Sequence, residues 1–495
     1  MSKVKLKSDD REFFQLVANV PAANPFSQHR EDIDEEISGI HEAENRRQRV
    51  EYAAEAIRKR LAKLDVGGTR TFQDFDDSDR RLMKYTYLFD VYHSCSDLFD
   101  AFITKQEESG ETPLKVPFAP KAIDTLQKRG FSEKTVVHDF AFFYQIRRAF
   151  YFIDRGLIGK SNCMRQLRMA LWNNIFTCDA FDYELYMWDK MEDFSTLLIG
   201  PTGSGKGAAA AAIGKSGFIP YDEKKQQFMA SFTSTFIPVN LSQFAESLLE
   251  SELFGHTKGA FTGAVSEHQG VLGLCGPHGS ILLDEIGEIS IPVQVKLLKV
   301  LEERTFYPVG SHQPQRFCGR VIAATNRPIE QLREEGRFRD DFYYRLCSDC
   351  IRVPSLSERI QENPDELTEL VEHFCGVITG AKDTDLIGRV LEVVDKKLGG
   401  PDYCWPGNVR ELAQCIRRVI LKRDYEGQLS QSSSQEGALA DSMREGNLTA
   451  DELLDSYCKI LYKQHGTYEK VAKLTALDRR TVKKRIQGAG HDTGK

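Results

Sequence analysis

At 495 residues, with 41% apolar and 28% charged side chains, the chain has an ordinary globular composition and length for about three domains. A formal net charge of -7 excludes a chain coated along its length in nucleic acid, so any DNA contact must be local. No apolar run approaches a membrane span, the first residues lack a signal-peptide core and eleven cysteines are scattered singly, which predicts a cytoplasmic protein with reduced thiols and no membrane partner.

Residues 1–156 read as a mostly helical unit, expected to be regulatory. Segments such as Arg46 to Leu64 place apolar residues at helical intervals among charges. An aromatic cluster, Phe140, Phe142, Phe143, Tyr144, Phe150, Tyr151 and Phe152, is expected to fill a core. No phosphorylatable-aspartate pattern or nucleotide fingerprint occurs here, so the input is unspecified.

From about residue 157 the pattern changes. A helix near Met164 to Ile175 precedes a short apolar strand, Leu197 to Ile199, which runs into Gly200, Pro201, Thr202, Gly203, Ser204, Gly205 and Lys206, then an alanine-rich helix. That G-x-x-x-x-G-K spacing is a phosphate-binding loop: glycines let backbone N–H groups converge, the helix N-terminus adds positive potential, and Lys206 reaches outer phosphates. The last motif position, often a magnesium-binding Ser or Thr, is Gly207. Thr235 to Asn240 reads as a second strand, although Pro238 weighs against a central position.

A helix carrying Phe244, Leu248 and Leu253 leads into Gly259, Ala260, Phe261, Thr262, Gly263 and Ala264. A lone aromatic among small residues has little bulk to bury it, which suggests a partner contact at a loop tip. Ser280 to Asp284 is an apolar strand ending in Asp284 and Glu285; the first acid can hold Mg²⁺ and the second can polarise a water. Another strand, Val321 to Ala324, ends in Thr325 and Asn326, polar groups that could sense a terminal phosphate. The alternation of strands and helices predicts a parallel sheet with helices on both faces and nucleotide at the strand C-termini.

Arg337, Arg339 and Arg345 lie near helical spacing, and a planar, always-charged donor suits transition-state charge on phosphate. Residues 355–425 read as a helical lid containing Trp405 to Leu412, in which Asn408 is expected to cap the next helix and Arg410 to sit in its first turn. Residues 426–446 are a polar, flexible linker. The last unit, 447–490, has two helices around a turn at Thr475 to Asp478, and Gly466 to Gln487 carries seven Lys or Arg against two acids. This is a helix-turn-helix arrangement whose second helix offers Arg479, Arg480, Thr481, Lys483, Lys484 and Arg485 to a major groove.

With these residues in view, the chain resembles the sigma-54-dependent transcriptional activators, bacterial enhancer-binding proteins of the AAA+ ATPase class. The resemblance covers about residues 157–487. Gly259 to Ala264 is identical to the family's sigma-factor-contacting loop, Trp405 to Leu412 resembles its second sensor, and the C-terminus resembles its Fis-type DNA-binding domain. The resemblance implies an all-α N-terminal unit, a central α/β phosphate-loop domain at 157–425 and an all-α C-terminal unit. It implies ATP and Mg²⁺ as cofactors, with Lys206 on the outer phosphates, Asp284 on Mg²⁺ and Glu285 activating water.

In the same resemblance, Asn240 looks like the switch residue that holds the glutamate, and Thr325 and Asn326 like the first sensor. Arg339 and Arg345 resemble arginine fingers supplied in trans, Arg410 the second-sensor arginine, and Phe261 and Thr262 would touch the sigma factor. The implied partners are the sigma-54 RNA polymerase holoenzyme, upstream double-stranded DNA and further copies of the chain in a hexameric ring. Gly207 departs from the family, which usually has an acid there, and the first 156 residues match none of its receiver, GAF or PAS sensors. Two other readings fit the motifs: a generic AAA+ remodelling ATPase, and a DNA-binding regulator switched by ATP with little turnover.

Overall fold

Five strands form one parallel sheet: β1 (Thr196–Ile199), β2 (Phe236–Asn240), β3 (Ser280–Asp284), β4 (Arg320–Thr325) and β5 (Asp349–Arg352). Their spatial order is β2-β3-β4-β1-β5. This computed structural model describes residues 3–427 apart from 44, 66 and 382, together with 443 and 448–487. Pro238 is accommodated because β2 pairs with β3 alone, at an edge where a missing N–H need not serve a ladder.

Each strand sends alternate side chains to opposite faces, and the two faces enter different cores. Leu197, Ile281, Leu283, Val321 and Ala323 pack with helices Glu246–Phe254, Ile291–Glu303 and Asp340–Leu346. Leu248 does not follow the expected apolar face: it is 48% exposed, while Leu249 and Leu253 point inward. Leu198, Leu282, Ile322, Ala324 and Ile351 enter the other core.

That second core runs without interruption into the N-terminal helices. It holds Phe14, Tyr87, Phe99, Phe140 and Tyr144 together with Ala209, Ala210, Ala212 and Ile213 of the phosphate-loop helix Lys206–Gly214. Alanine-sized side chains let this helix lie close between the sheet and the long helix Glu133–Gly156. The aromatic cluster fills a core as expected, and that core is shared with the sheet rather than enclosed by residues 1–156.

Helices Leu356–Glu362, Asp365–Thr379, Thr384–Val393 and Asn408–Lys422 pack around the fully buried Trp405. Of the linker, residues 428–442 and 444–447 lie outside the described residues. Beyond it, helices Ala450–His465, Tyr468–Thr475 and Arg479–Gln487 enclose a small core of Cys458, Leu461, Val471 and Val482. The first starts at a capping box made by Thr449 and Glu452. No described helix is long and apolar enough to cross a membrane.

Candidate functional site

The phosphate loop joins the end of β1 to the helix that begins at Lys206. Gly203 and Gly205 have φ of +75° and +110°, the left-handed region in which a side chain is strained. A Cβ on Gly203 would also strike the carbonyl of Gly407 and approach Cβ of Arg410, so this glycine lets the lid close directly onto the loop. The side chain of Lys206 donates to the carbonyls of Gly200 at 2.8 Å and Pro201 at 3.1 Å. Burial pushes its ammonium pKa down, while the nearby carboxylates of Glu285 and Asp284 pull it back up. Gly207 is exposed in the first helical turn and contributes no side-chain oxygen.

Asp284 closes β3 and accepts from the N–H of Glu285 at 3.0 Å. Glu285 takes a left-handed φ of +58°, unusual for a side chain of this size, and its buried Oε2 has no hydrogen-bond partner. A strained backbone beneath an unpartnered carboxylate oxygen is the arrangement expected of a base kept ready for a substrate proton. On the neighbouring strand Thr325 is fully buried, and Asn326 donates to Thr202 Oγ1 at 2.6 Å, tying the strand end to the loop. Asn240 is in register with Asp284 across β2 and β3. Its side-chain oxygen accepts from the N–H and hydroxyl of Ser242, at 3.0 and 2.7 Å, rather than engaging Glu285.

The lid contributes two contacts the sequence did not disclose. Asn408 adopts φ +52° and is the first helical residue, with Gly407 in the capping place, so it does not cap as expected. Its side chain instead donates to the carbonyl of Thr202 at 3.0 Å and accepts from the N–H of Leu356 at 2.8 Å. Glu411, buried one turn on, accepts from Gly407 N–H and from the hydroxyls of Tyr403 and Tyr425. Arg410 stays exposed beside the phosphate loop.

Phe261 stands at the tip of the loop between His256 and His268, 39% exposed, with Thr262 and Gly263 also open to solvent. Ala264 is buried, and its carbonyl accepts from Gly259 N–H at 2.9 Å, which closes the loop. His256 anchors it: one ring nitrogen meets Ser251 Oγ at 2.7 Å, the other the Ser266 carbonyl at 3.1 Å, and the ring packs edge-on to Phe261. Gly255, at φ +78°, is required just before it, because a Cβ would strike the carbonyl of His268. The sequence signal for His256 was only its place at the loop base.

The two candidate finger arginines are differently placed. Arg339 is exposed and paired with Asp341 at 2.6 Å, whereas Arg345 donates to the carbonyl of Leu301 at 2.6 Å. In the C-terminal unit Arg480, Thr481, Lys483 and Lys484 are exposed along one helix. Arg479 pairs with Glu469, and Arg485 turns back to Asp451 and Asp455 of the first helix.

A parallel sheet in this order, a phosphate loop after β1, paired acids after β3 and a helical lid over the loop define an α/β phosphate-loop domain of the AAA+ class. Residues 185–352 match the family described as the sigma-54 interaction domain. The chain is 35% identical over 356 residues to the Nif-specific regulatory protein of Azotobacter vinelandii, covering 69% of this chain and 60% of that one. It is 33% identical over 310 residues to the regulatory protein AtoC of Escherichia coli (strain K12), covering 60% and 63%. It is 39% identical over 239 residues to an uncharacterized protein in the HyuA 5' region of Pseudomonas sp. (strain NS671), covering 48% of this chain and 74% of that one. The chain thus spans under two thirds of the first two relatives. Over residues 185–352 it carries a sigma-54 interaction domain, and it is similar to regulatory proteins of that family.

Proposed function

We propose that the protein binds ATP at the phosphate loop, hydrolyses it between neighbouring copies in a ring, and uses the cycle to move the Phe261 loop against a sigma-54 polymerase complex. The observation that carries this reading is the exposed Phe261 on a loop built from the element that follows β2, whose last residue is in register with Asp284. The carboxylates of Glu285 and Asp284 both lie close enough to act electrostatically on Lys206, as groups sharing one nucleotide would. Glu285 Oε2 would take the proton of the attacking water, and Lys206 would exchange its two loop carbonyls for phosphate oxygens.

The donor set fits Mg²⁺ in its usual mode, one carboxylate plus phosphate oxygens and waters, with Asp284 supplying the carboxylate and Gly207 nothing. When bound, the ion would neutralise charge developing on the phosphates. Arg339, exposed and with its guanidinium paired to Asp341, suits donation to a neighbour's nucleotide and makes assembly a requirement. Exposed Arg480, Thr481, Lys483 and Lys484 support local binding of upstream DNA.

The test is Phe261→Ala in the full chain. Hydrolysis should persist while ATP-dependent binding to sigma-54 is lost. Retained binding would favour a generic remodelling ATPase, and an unmutated chain that binds ATP without releasing phosphate would favour the switched regulator.

A further inference from the structure

The N-terminal helices, with Trp172, Phe181 and Glu184, line an open cavity of about 510 Å³, within the range of small-molecule sites, that the reading above does not use. Its wall includes Tyr92, Phe142, Phe143 and Phe181, with Asp139 and Glu184 among them. Asp139, Phe142, Phe143 and Ile146 recur at helical spacing, so one face of helix Glu133–Gly156 supplies both the acid and the rings.

The polar groups of this wall fall into two sets. Its arginines are already matched: Arg30 by Asp34, Arg46 by Asp154, and Arg147 by Asp100. Asp139 and Glu184 instead share a hydrogen bond with each other and face no matching cation. Among the described residues neither forms an ion pair with a Lys or Arg, and Lys84 acts on them only at longer range. Asp139 is 5% exposed, and its Oδ2 is buried with no hydrogen-bond partner. A buried carboxylate left this way is costly unless a donor reaches it, and aromatic faces beside it favour a cation.

We infer that this cavity is a binding site for a small arylalkyl amine, whose ammonium sits against Asp139 and Glu184 and whose ring lies among Phe142, Phe143 and Phe181. An anion would meet two acids. A neutral alcohol could donate one hydrogen bond and would forgo the charge.

The experiment titrates the full chain with 2-phenylethylamine, 2-phenylethanol and phenylacetate by calorimetry at pH 7.5. The amine should bind about tenfold or more tighter than the alcohol, and phenylacetate should not bind. Asp139→Asn should weaken the amine by about tenfold or more while leaving the circular dichroism spectrum unchanged. Glu184→Gln, the partner carboxyl, provides the same reading should Asp139→Asn fail to fold. No saturable heat with the amine, equal binding of alcohol and amine, or amine affinity unchanged in the folded variants would each overturn the assignment.

Discussion

The guanidinium of Arg148 donates to the carbonyl of Lys215 at 2.8 Å, joining the last helix of the N-terminal unit to the residue that follows the phosphate-loop helix. It also donates to Gly217 at 2.7 Å, and its neighbour Gln145 donates to Ser216 at 3.0 Å. Arg148 is fully buried over the Tyr144 ring, and burial pushes its pKa down to about 10. Since Asp139 lies on the opposite face of the same helix, one rigid element touches both the cavity and the nucleotide-binding helix.

Replacing Arg148 with Met should therefore leave two half-buried carbonyls, of Lys215 and Gly217, without their donor. The expected loss of unfolding free energy is about 2–4 kcal/mol in urea titration of the full chain. Removing residues 1–156 should be more damaging, because the phosphate-loop helix Lys206–Gly214 would lose the cover of helix Glu133–Gly156. The remaining fragment should scatter light and bind a hydrophobic dye. A monodisperse, well-folded fragment would mean that the shared core contributes little.

The contrast between what was and was not legible follows from the range of the signals. β1, β3 and β4, the phosphate loop and the paired acids were readable because strand period and motif spacing are local properties. The shared core was not, because the same aromatic residues at positions 140–144 satisfy helical periodicity whichever surface they meet. Asn408 was misread for a related reason: Asn after Pro-Gly is a good cap locally, and only its left-handed backbone redirects the side chain toward Thr202.

Asp139 should make stability depend on pH in a defined direction. Burial, and then Glu184, raise its carboxyl from an ordinary value of 3.8 to about 7. The folded state thus holds a proton that the unfolded state releases. The stability it confers is complete below 3.8 and is lost as pH rises through about 7. Asp139→Asn should flatten this slope and raise stability by about 2–4 kcal/mol at pH 8, with little change at pH 4. Chemical denaturation at several pH values would measure it, and parallel curves for the two proteins would contradict it.

Arg339 and Arg345 should separate function from folding. Arg339→Ala removes an exposed ion pair and should leave the melting temperature unchanged while lowering ATP hydrolysis by about a thousandfold. Arg345→Ala leaves the Leu301 carbonyl without its donor and should cost about 1–3 kcal/mol of stability. Mixing Arg339→Ala subunits with Lys206→Ala subunits should restore part of the hydrolysis. Loss that does not recover would place Arg339 in the site of its own chain.

Asn408 should decide how tightly the lid closes on the phosphate loop. Its amide bridges Thr202 of the loop and Leu356 of the lid, and its φ of +52° is tolerated by Asn better than by most residues. Asn408→Ala removes both bonds and keeps the strain, so it should weaken ATP binding by about tenfold or more, as read by a fluorescent nucleotide. Asn408→Gly removes the same bonds and relieves the strain. If the clamp acts through hydrogen bonding, both variants should bind ATP equally poorly, and Gly should be the more stable of the two in thermal melts. If Gly instead restores affinity, the backbone turn at 405–408 sets the lid position and the amide contacts are incidental.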